Sequence, residues 1–280
     1  MRSRKIYCMM ALEPICPGDE FLNQISPTPF VPAARLRYSI KYSIALSFPE
    51  RYNSIDKLIE GCCGREDCPI CGPFGFWKDG REVPGAAEFS DMIPILIPIN
   101  TPEGPLWCTS HAMINALMET GLLKEDDLQI QLPSDSLDVQ SPVGEGILTL
   151  GWMPLRIAHT TSPFKPSARY KLLSIGVPEE TLNGATLTSD KVLAHLIRDN
   201  PSSYPIPLID PQTNGITHRS APLCRMIPRG TVLWFSVRYS RRDGIIDVVE
   251  DGISHLESIG VGGLTSREVG RIKLLKSKEV

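Results

Sequence analysis

The run Gly260-Val261-Gly262-Gly263-Leu264-Thr265-Ser266-Arg267-Glu268-Val269-Gly270-Arg271 limits what the C-terminal part of this chain can become. Three glycines in four residues, then a hydroxyl pair and an arginine, specify a loop whose backbone can approach another group closely. Successive N–H groups in such a loop cradle phosphate, and Arg267 and Arg271 add charge. Standing alone, the run equally describes a tight turn ahead of a final strand.

The 280 residues are 42% hydrophobic, enough for a substantial core in one elaborated domain or two small ones. No apolar run reaches the ~20 residues of a membrane span. The basic start, Met1-Arg2-Ser3-Arg4-Lys5-Ile6, leads into no signal core, so a soluble cytoplasmic protein is expected, without a membrane partner. Net charge is only -3, but its distribution is uneven. Residues 119–150 carry Glu119, Glu125, Asp126, Asp127, Asp135, Asp138 and Glu145 against Lys124 alone, while basic residues gather in 35–41, 225–242 and 267–278. That pattern suits one face for a polyanion and another turned to solvent or protein.

Apolar spacing predicts a strand over 6–12, and a helix over 33–46 where Leu36, Ile40 and Ile44 recur every four residues. Arg35, Arg37 and Lys41 take its other faces, with Arg37 and Lys41 one turn apart on one side. Strand-like stretches follow at 89–99, 231–237 and 272–275, and helices at 109–123, 187–199 and 247–256. Strands and helices at unequal spacing imply an α+β fold. From about 130 to 225 the chain is rich in Pro, Ser and Thr and shows no clear period.

Four of the eight cysteines fall within ten residues, at Cys62, Cys63, Cys68 and Cys71, unlike a secreted disulfide framework. Cys68-Pro69-Ile70-Cys71 is a C-x-x-C turn, which places two thiolates correctly for one zinc ion. Cys62 and Cys63 complete the site, or one of them ligates beside a distant residue such as His111 or Cys108. Filled ligand positions imply a structural zinc. A redox C-x-x-C is disfavoured because Gly72-Pro73-Phe74-Gly75 is not a helix start. The five histidines share no metal-like spacing, and nothing orients a base onto Cys108.

Five segments, in order, resemble a known family. Phe30-Val31-Pro32-Ala33-Ala34-Arg35-Leu36-Arg37-Tyr38-Ser39-Ile40-Lys41 resembles the "I-P-G-S-S-L-K-G-x-L-R" helix of the RAMP superfamily of CRISPR effector subunits. Cys68-Pro69-Ile70-Cys71-Gly72-Pro73-Phe74-Gly75 resembles its "C-P-x-C-x-L-F-G" element, and Glu88-Phe89-Ser90-Asp91-Met92-Ile93-Pro94 its "x-F-S-D-A-x-P" strand. Ile227-Pro228-Arg229-Gly230-Thr231-Val232-Leu233-Trp234-Phe235 is similar to "I-P-A-G-T-x-F-x-F", and the C-terminal run to "G-G-x-T-S-R-G-x-G-R". The chain departs from these patterns at Ala33-Ala34-Arg35, Tyr38 and Glu268, and Pro211 stands where a thumb arginine is frequent.

The resemblance implies an RNA-recognition-like (ferredoxin-type) core with insertions, a thumb hairpin and a zinc knuckle. Residues 1–100 and 205–280 would form this palm, including the knuckle at 61–76. Residues 101–204 would be an acidic, proline-rich insertion, and 205–226 the thumb. The implied function is a crRNA-binding subunit polymerised along its guide, with complementary target nucleic acid, other effector subunits and copies of itself as partners. Arg35, Arg37, Lys41, Gly262, Gly263, Thr265, Ser266, Arg267 and Arg271 would hold RNA, and Cys62, Cys63, Cys68 and Cys71 zinc. Such a subunit must accept any guide sequence, so phosphate contacts rather than base edges would carry the binding. Some members cut target RNA with an aspartate after the first strand. Asp19 is the candidate here, and a carboxylate beside a scissile phosphate holds a metal such as magnesium or positions the attacking hydroxyl. An end-capping rather than repeated RAMP subunit is a further alternative within the resemblance, and a zinc-stapled protein-interaction module is the alternative of another class.

Overall fold

Strand β1 (Ser3–Ala11) is buried on both sides, and the rest of the molecule is arranged around it. The computed structural model describes residues 3–17, 29–47, 63–199, 203–205, 208–209, 216–217, 223–240, 244–263, 265 and 269–280. From β1 the chain passes through helix α1 (Ala33–Leu46), the one-turn helix α2 (Cys71–Phe74), and the hairpin of β2 (Phe76–Lys78) and β3 (Arg81–Val83). It then enters β4 (Ala87–Phe89) and β5 (Ile93–Thr101). Near the C-terminus, β15 (Val232–Tyr239) leads through α7 (Ile245–Ser254) and α8 (Leu256–Ile259) to β16 (Ile272–Glu279). In space the order is β16-β1-β15-β5, with β4 also on β15 and every neighbour antiparallel. Each helical connection therefore joins two strands with a third between them, the split β-α-β arrangement taken twice.

The helices cover one face of this sheet. Leu36, Ile40 and Ile44 of α1 meet Val249 and Ile253 of α7 and Leu256 of α8 over Tyr7, Met9, Leu233, Phe235 and Val237. Full burial of each aliphatic side chain contributes about 1.5–3 kcal/mol, which explains why the four-residue period so nearly bounds α1. The alternate residues of the same strands, Ile6, Cys8, Val232 and Trp234, point to the other face.

That second face is covered by the segment between β5 and β15. It contains β6 (Gly104–Ser110), α3 (His111–Met118), β7 (Val139–Gln140), β8 (Ile147–Leu150), β9 (Met153–His159), α4 (Pro166–Ser174), α5 (Glu179–Asn183), β10 (Thr186–Thr188) and α6 (Asp190–Asp199). Ala168 and Leu172 of α4 and Ile114 and Leu117 of α3 pack onto Ile6, Cys8 and Trp234. The sheet itself continues from β5 through β6, β10, β7 and β9 to β8, ten strands in all, of mixed direction because β10 runs parallel to β6 and β7 to β9.

Three elements differ from the periodicity reading. The stretch 109–123 is helical only over His111–Met118, because residues to Ser110 belong to β6. The 187–199 helix starts at Asp190, because Thr186, Leu187 and Thr188 are buried in the sheet as β10. Residues 71–74 form a helical turn, ended by Gly75 at φ 84°, where the glycine–proline content argued against one. Further on, β11 (Ser203–Pro205) pairs with β14 (Leu223–Arg225), and β12 (Leu208–Ile209) with β13 (Ile216–Thr217). Among the described residues no helix is long and apolar enough to cross a membrane.

Candidate nucleic-acid interface and cysteine centre

The exit of β1 is held by backbone hydrogen bonds from two sides. Ile15 and Ile227 exchange both N–H···O bonds, at 2.9 and 2.8 Å. The Gly263 amide donates to Cys16 O and the Gly270 amide to Pro14 O, each at 2.8 Å, while Leu12 N reaches Arg271 O. The glycine-rich loop is thus laid against residues 12–16. Gly262 sits at φ +88°, and a Cβ there would lie 2.3 Å from Cys16 O. Gly270 sits at φ +84°, and its Cβ would lie 2.2 Å from Val261 O. These glycines allow backbone to meet backbone. The consequence for anion binding is specific: the amides of Val261, Gly263 and Gly270 already donate to protein carbonyls and are not free to cradle phosphate.

Charge reaches this loop from α1. Arg35 Nη1 lies 3.5 Å from the position a Cβ on Gly263 would take. The start of α1 is fixed by the Phe89-Ser90-Asp91 element: Asp91 Oδ1 accepts from Ala33 N at 2.7 Å, and Val31 and Met92 bond reciprocally at 2.9 Å. A carboxylate at a helix N-terminus satisfies a free N–H and favours the dipole. The Ile227–Thr231 turn closes the same end of the sheet, with Gly230 N on Ala11 O and Trp107 Nε1 on Gly230 O. Segments far apart in sequence, at 14–16, 31–35, 91–92, 227–230, 260–263 and 269–271, therefore support one another around the end of β1.

Arg37 and Lys41 share the other side of α1, as their spacing implies, and both meet α2. Arg37 Nη2 donates to Phe74 O at 2.7 Å, and its buried Nε has no acceptor. Lys41 Nζ lies 5.6 Å from the centroid of the Phe74 ring, which stacks on Phe89 with centroids 5.4 Å apart. Burial, reinforced by the Arg37 charge, lowers the Lys41 pKa, while Cys71 acts in the opposite sense.

At the other end of α2, the sulfurs of Cys63, Cys68 and Cys71 lie within 4.8 Å of one another. Cys68 and Cys71 are buried and Cys63 is exposed. The Cys63 amide donates to Cys71 Sγ at 3.4 Å. Three converging thiols fit a soft, four-coordinate cation. Among the described residues this is the one group of three or more such side chains placed to hold a metal ion, and no carboxylate cluster supports a magnesium site. Cys108 and His111 are not part of it. Cys108 is buried in the third core cluster with Ile97 and Met113, its thiol pushed up to about 12 by burial, and His111 Nε2 lies 3.0 Å from Leu132 O.

No family model and no curated protein sequence matches the chain. Solved structures do. Oligomeric Cmr4 from Pyrococcus furiosus superposes with a TM-score of 0.65 at 13% identity, covering 99% of this chain and 98% of that one. A second Cmr4 structure gives 0.62 at 14%, covering 99% of each. The chain has the Cmr4 fold. A subunit of the type III-B Cmr-beta complex bound to cognate target RNA gives 0.59 at 11%, covering 97% of this chain and 96% of that one. A third structure, Pyrococcus furiosus Cmr4 (Cas7), gives 0.60 at 13%, covering 99% of this chain and 100% of that one, so the mixed α/β fold expected from the sequence is the kind of fold found.

Within the Cmr4 fold, Arg35, Gly262, Gly263, Thr265 and Arg271 lie together at the exit of β1 or in the loop against it, and Arg37 and Lys41 lie on the knuckle side of α1. Asp19, Cys62, Ser266 and Arg267 lie outside the described residues. Sequence reading missed Asp91 as the support of α1 and Phe74 as the group that receives Arg37 and Lys41. Their signals were present: Asp91 follows Phe89-Ser90 just before a strand, and Phe74 stands at i+3 from Cys71 of the C-x-x-C turn.

Proposed function

We propose that the chain is a guide-RNA-binding backbone subunit of a class 1 CRISPR ribonucleoprotein, with copies of itself lined up along the guide and neighbouring effector subunits at its ends. The observation that carries this is the match of nearly the whole chain to nearly the whole of Cmr4, including an oligomer and a subunit of a complex bound to target RNA. Arg35 beside the glycine loop supports the reading, because a guide-binding subunit needs cations at backbone phosphates, independent of base identity. In this reading the core is RNA-recognition-like, and the nested strand pairs between 203 and 225 support a thumb at 205–226.

Zinc at Cys63, Cys68 and Cys71, with Cys62 as the fourth ligand, would be structural: it would tie residues 62–63 to α2 and supply no reactive position.

A second reading, target-RNA cleavage through Asp19, is favoured by one observation. The Cys16–Gly263 bridge brings the chain leading to residue 19 beside the loop that would carry RNA.

The test is purification of the chain with the products of its neighbouring genes, followed by sequencing of bound nucleic acid. Short RNAs with a common end and variable interiors are the expected result. A folded, zinc-loaded preparation free of RNA would replace this reading with the zinc-stapled interaction module. Cleavage at regular intervals that persists in Asp19→Ala would remove Asp19 from the mechanism.

A further inference from the structure

Helix α2 is only four residues long, yet it has two different tasks at its ends. Its first residue, Cys71, is one of the three convergent thiols. Its last, Phe74, presents its carbonyl to Arg37 Nη2 and its ring to Lys41 Nζ. Nothing flexible separates the two ends. Gly72 N donates to Cys68 O, Phe74 N to Ile70 O and Gly75 N to Cys71 O, so one continuous hydrogen-bonded turn runs from the C-x-x-C to Phe74. The turn is also held from outside, by Ala86 N on Gly72 O and by the Phe74–Phe89 stack.

We infer that the cysteine knuckle is the positioning device for Arg37 and Lys41, so that metal bound at the three thiols sets the geometry of this cation pair and, through it, the strength of phosphate binding. The inference rests on the RNA-binding reading above and adds a regulator to it. The physical argument is one of preorganisation. An arginine and a lysine on a helix surface each have many rotamers to lose when they are fixed on a ligand. Here one guanidinium nitrogen is tied to Phe74 O and the ammonium is set over the Phe74 ring, so part of that freedom is already lost before any ligand arrives. Phe74 is therefore a positioning residue, and its position depends on Cys68 and Cys71. Without metal, the three thiols are no longer tied to one another, α2 is held only by its backbone hydrogen bonds and the Phe89 stack, and Phe74 holds the two cations less firmly.

The probe is a single-stranded RNA oligonucleotide of arbitrary sequence, titrated with the full chain by fluorescence anisotropy over a series of salt concentrations. Zinc content is measured in parallel. Stripping zinc from wild type is expected to weaken binding about tenfold and to flatten the plot of log K against log salt by about two phosphate contacts. The double variant Arg37→Ala, Lys41→Ala is expected to bind as weakly with zinc as without it. Phe74→Leu, measured with zinc still bound, is expected to lose about one contact from the slope, which keeps the test informative even where stripped protein fails to fold. Unchanged affinity and slope on stripping, or on Phe74→Leu, would overturn the positioning role, and so would a chain that takes up no zinc. A zinc-loaded wild type that binds no RNA would overturn the RNA-binding reading itself, which separates that failure from the failure of the coupling.

Discussion

Arg35 and Gly263 are 228 positions apart in sequence, and the guanidinium of the first stands 3.5 Å from where a side chain on the second would begin. Helix α1 and the C-terminal loop therefore form a single surface at the end of β1. On it the Arg35 cation flanks the backbone at Gly263.

Charge reversal at that surface is the direct test of its role. Arg35→Glu is expected to weaken binding of single-stranded RNA about tenfold, uniformly across sequences, and to lower the salt slope by about 1. Filter binding at several ionic strengths reads both. An effect confined to particular sequences would point to base contacts instead.

The glycines of the loop are not equivalent. A methyl group on Gly263 would make ordinary contacts with Arg35 Nη1 and Cys16 Sγ, both at 3.5 Å. One on Gly262 would overlap Cys16 O at 2.3 Å, on a left-handed backbone. Gly262→Ala is expected to cost at least ~1–3 kcal/mol in chemical denaturation, and Gly263→Ala much less. Equal destabilisation by the two would contradict this account of the loop.

Asp91 supports α1 by accepting from the first amide of the helix. Asp91→Ala removes the acceptor of the Ala33 amide and is expected to cost ~1 kcal/mol, as loss of a helix N-terminal partner does. Asp91→Asn should recover most of that. The readout is the midpoint of urea unfolding, with RNA affinity falling only as far as α1 frays.

Acid stability has an identifiable contributor in the segment covering β1. Hydrogen bonding from Lys171 is the first reason that Asp127 titrates at about 2, opposed by its burial and aided by the Lys124 amide. Its carboxyl is more acidic in the folded chain than in the unfolded one. The ion pair therefore stabilises fully above about pH 4, and that stability is lost as pH falls through about 2. Wild type should lose stability more steeply than Asp127→Asn over this window. Parallel curves would remove Asp127 from the acid response.

Legibility in the sequence followed the physics of each segment. Helix α1 was readable because Leu36, Ile40 and Ile44 all face one core, and β15 because Val232 to Val237 are buried on both sides. Strands β7 and β10 were not, because two or three residues carry no period; Thr186 and Thr188 are held by sheet pairing, not by their own propensity. At the candidate site, residue types marked Arg37 and Lys41 correctly as neighbours. That both rest on Phe74 depends on a tertiary contact that no local pattern encodes. The same holds for the Gly263 amide, whose use by Cys16 is invisible until residues 16 and 263 are brought together.

Because Ile6, Cys8, Val232 and Trp234 rest on α3 and α4, the residues between β5 and β15 are a wall of the same building and not an annex. A trimmed version of the chain that kept both glycine loop and cysteine turn but dropped this wall would bare a hydrophobic sheet face and aggregate before it met any RNA. Length variation in proteins of this shape should accordingly concentrate in the turns of that wall, such as Gly144–Gly146 and Gly151-Trp152, and spare the helices that seal the sheet.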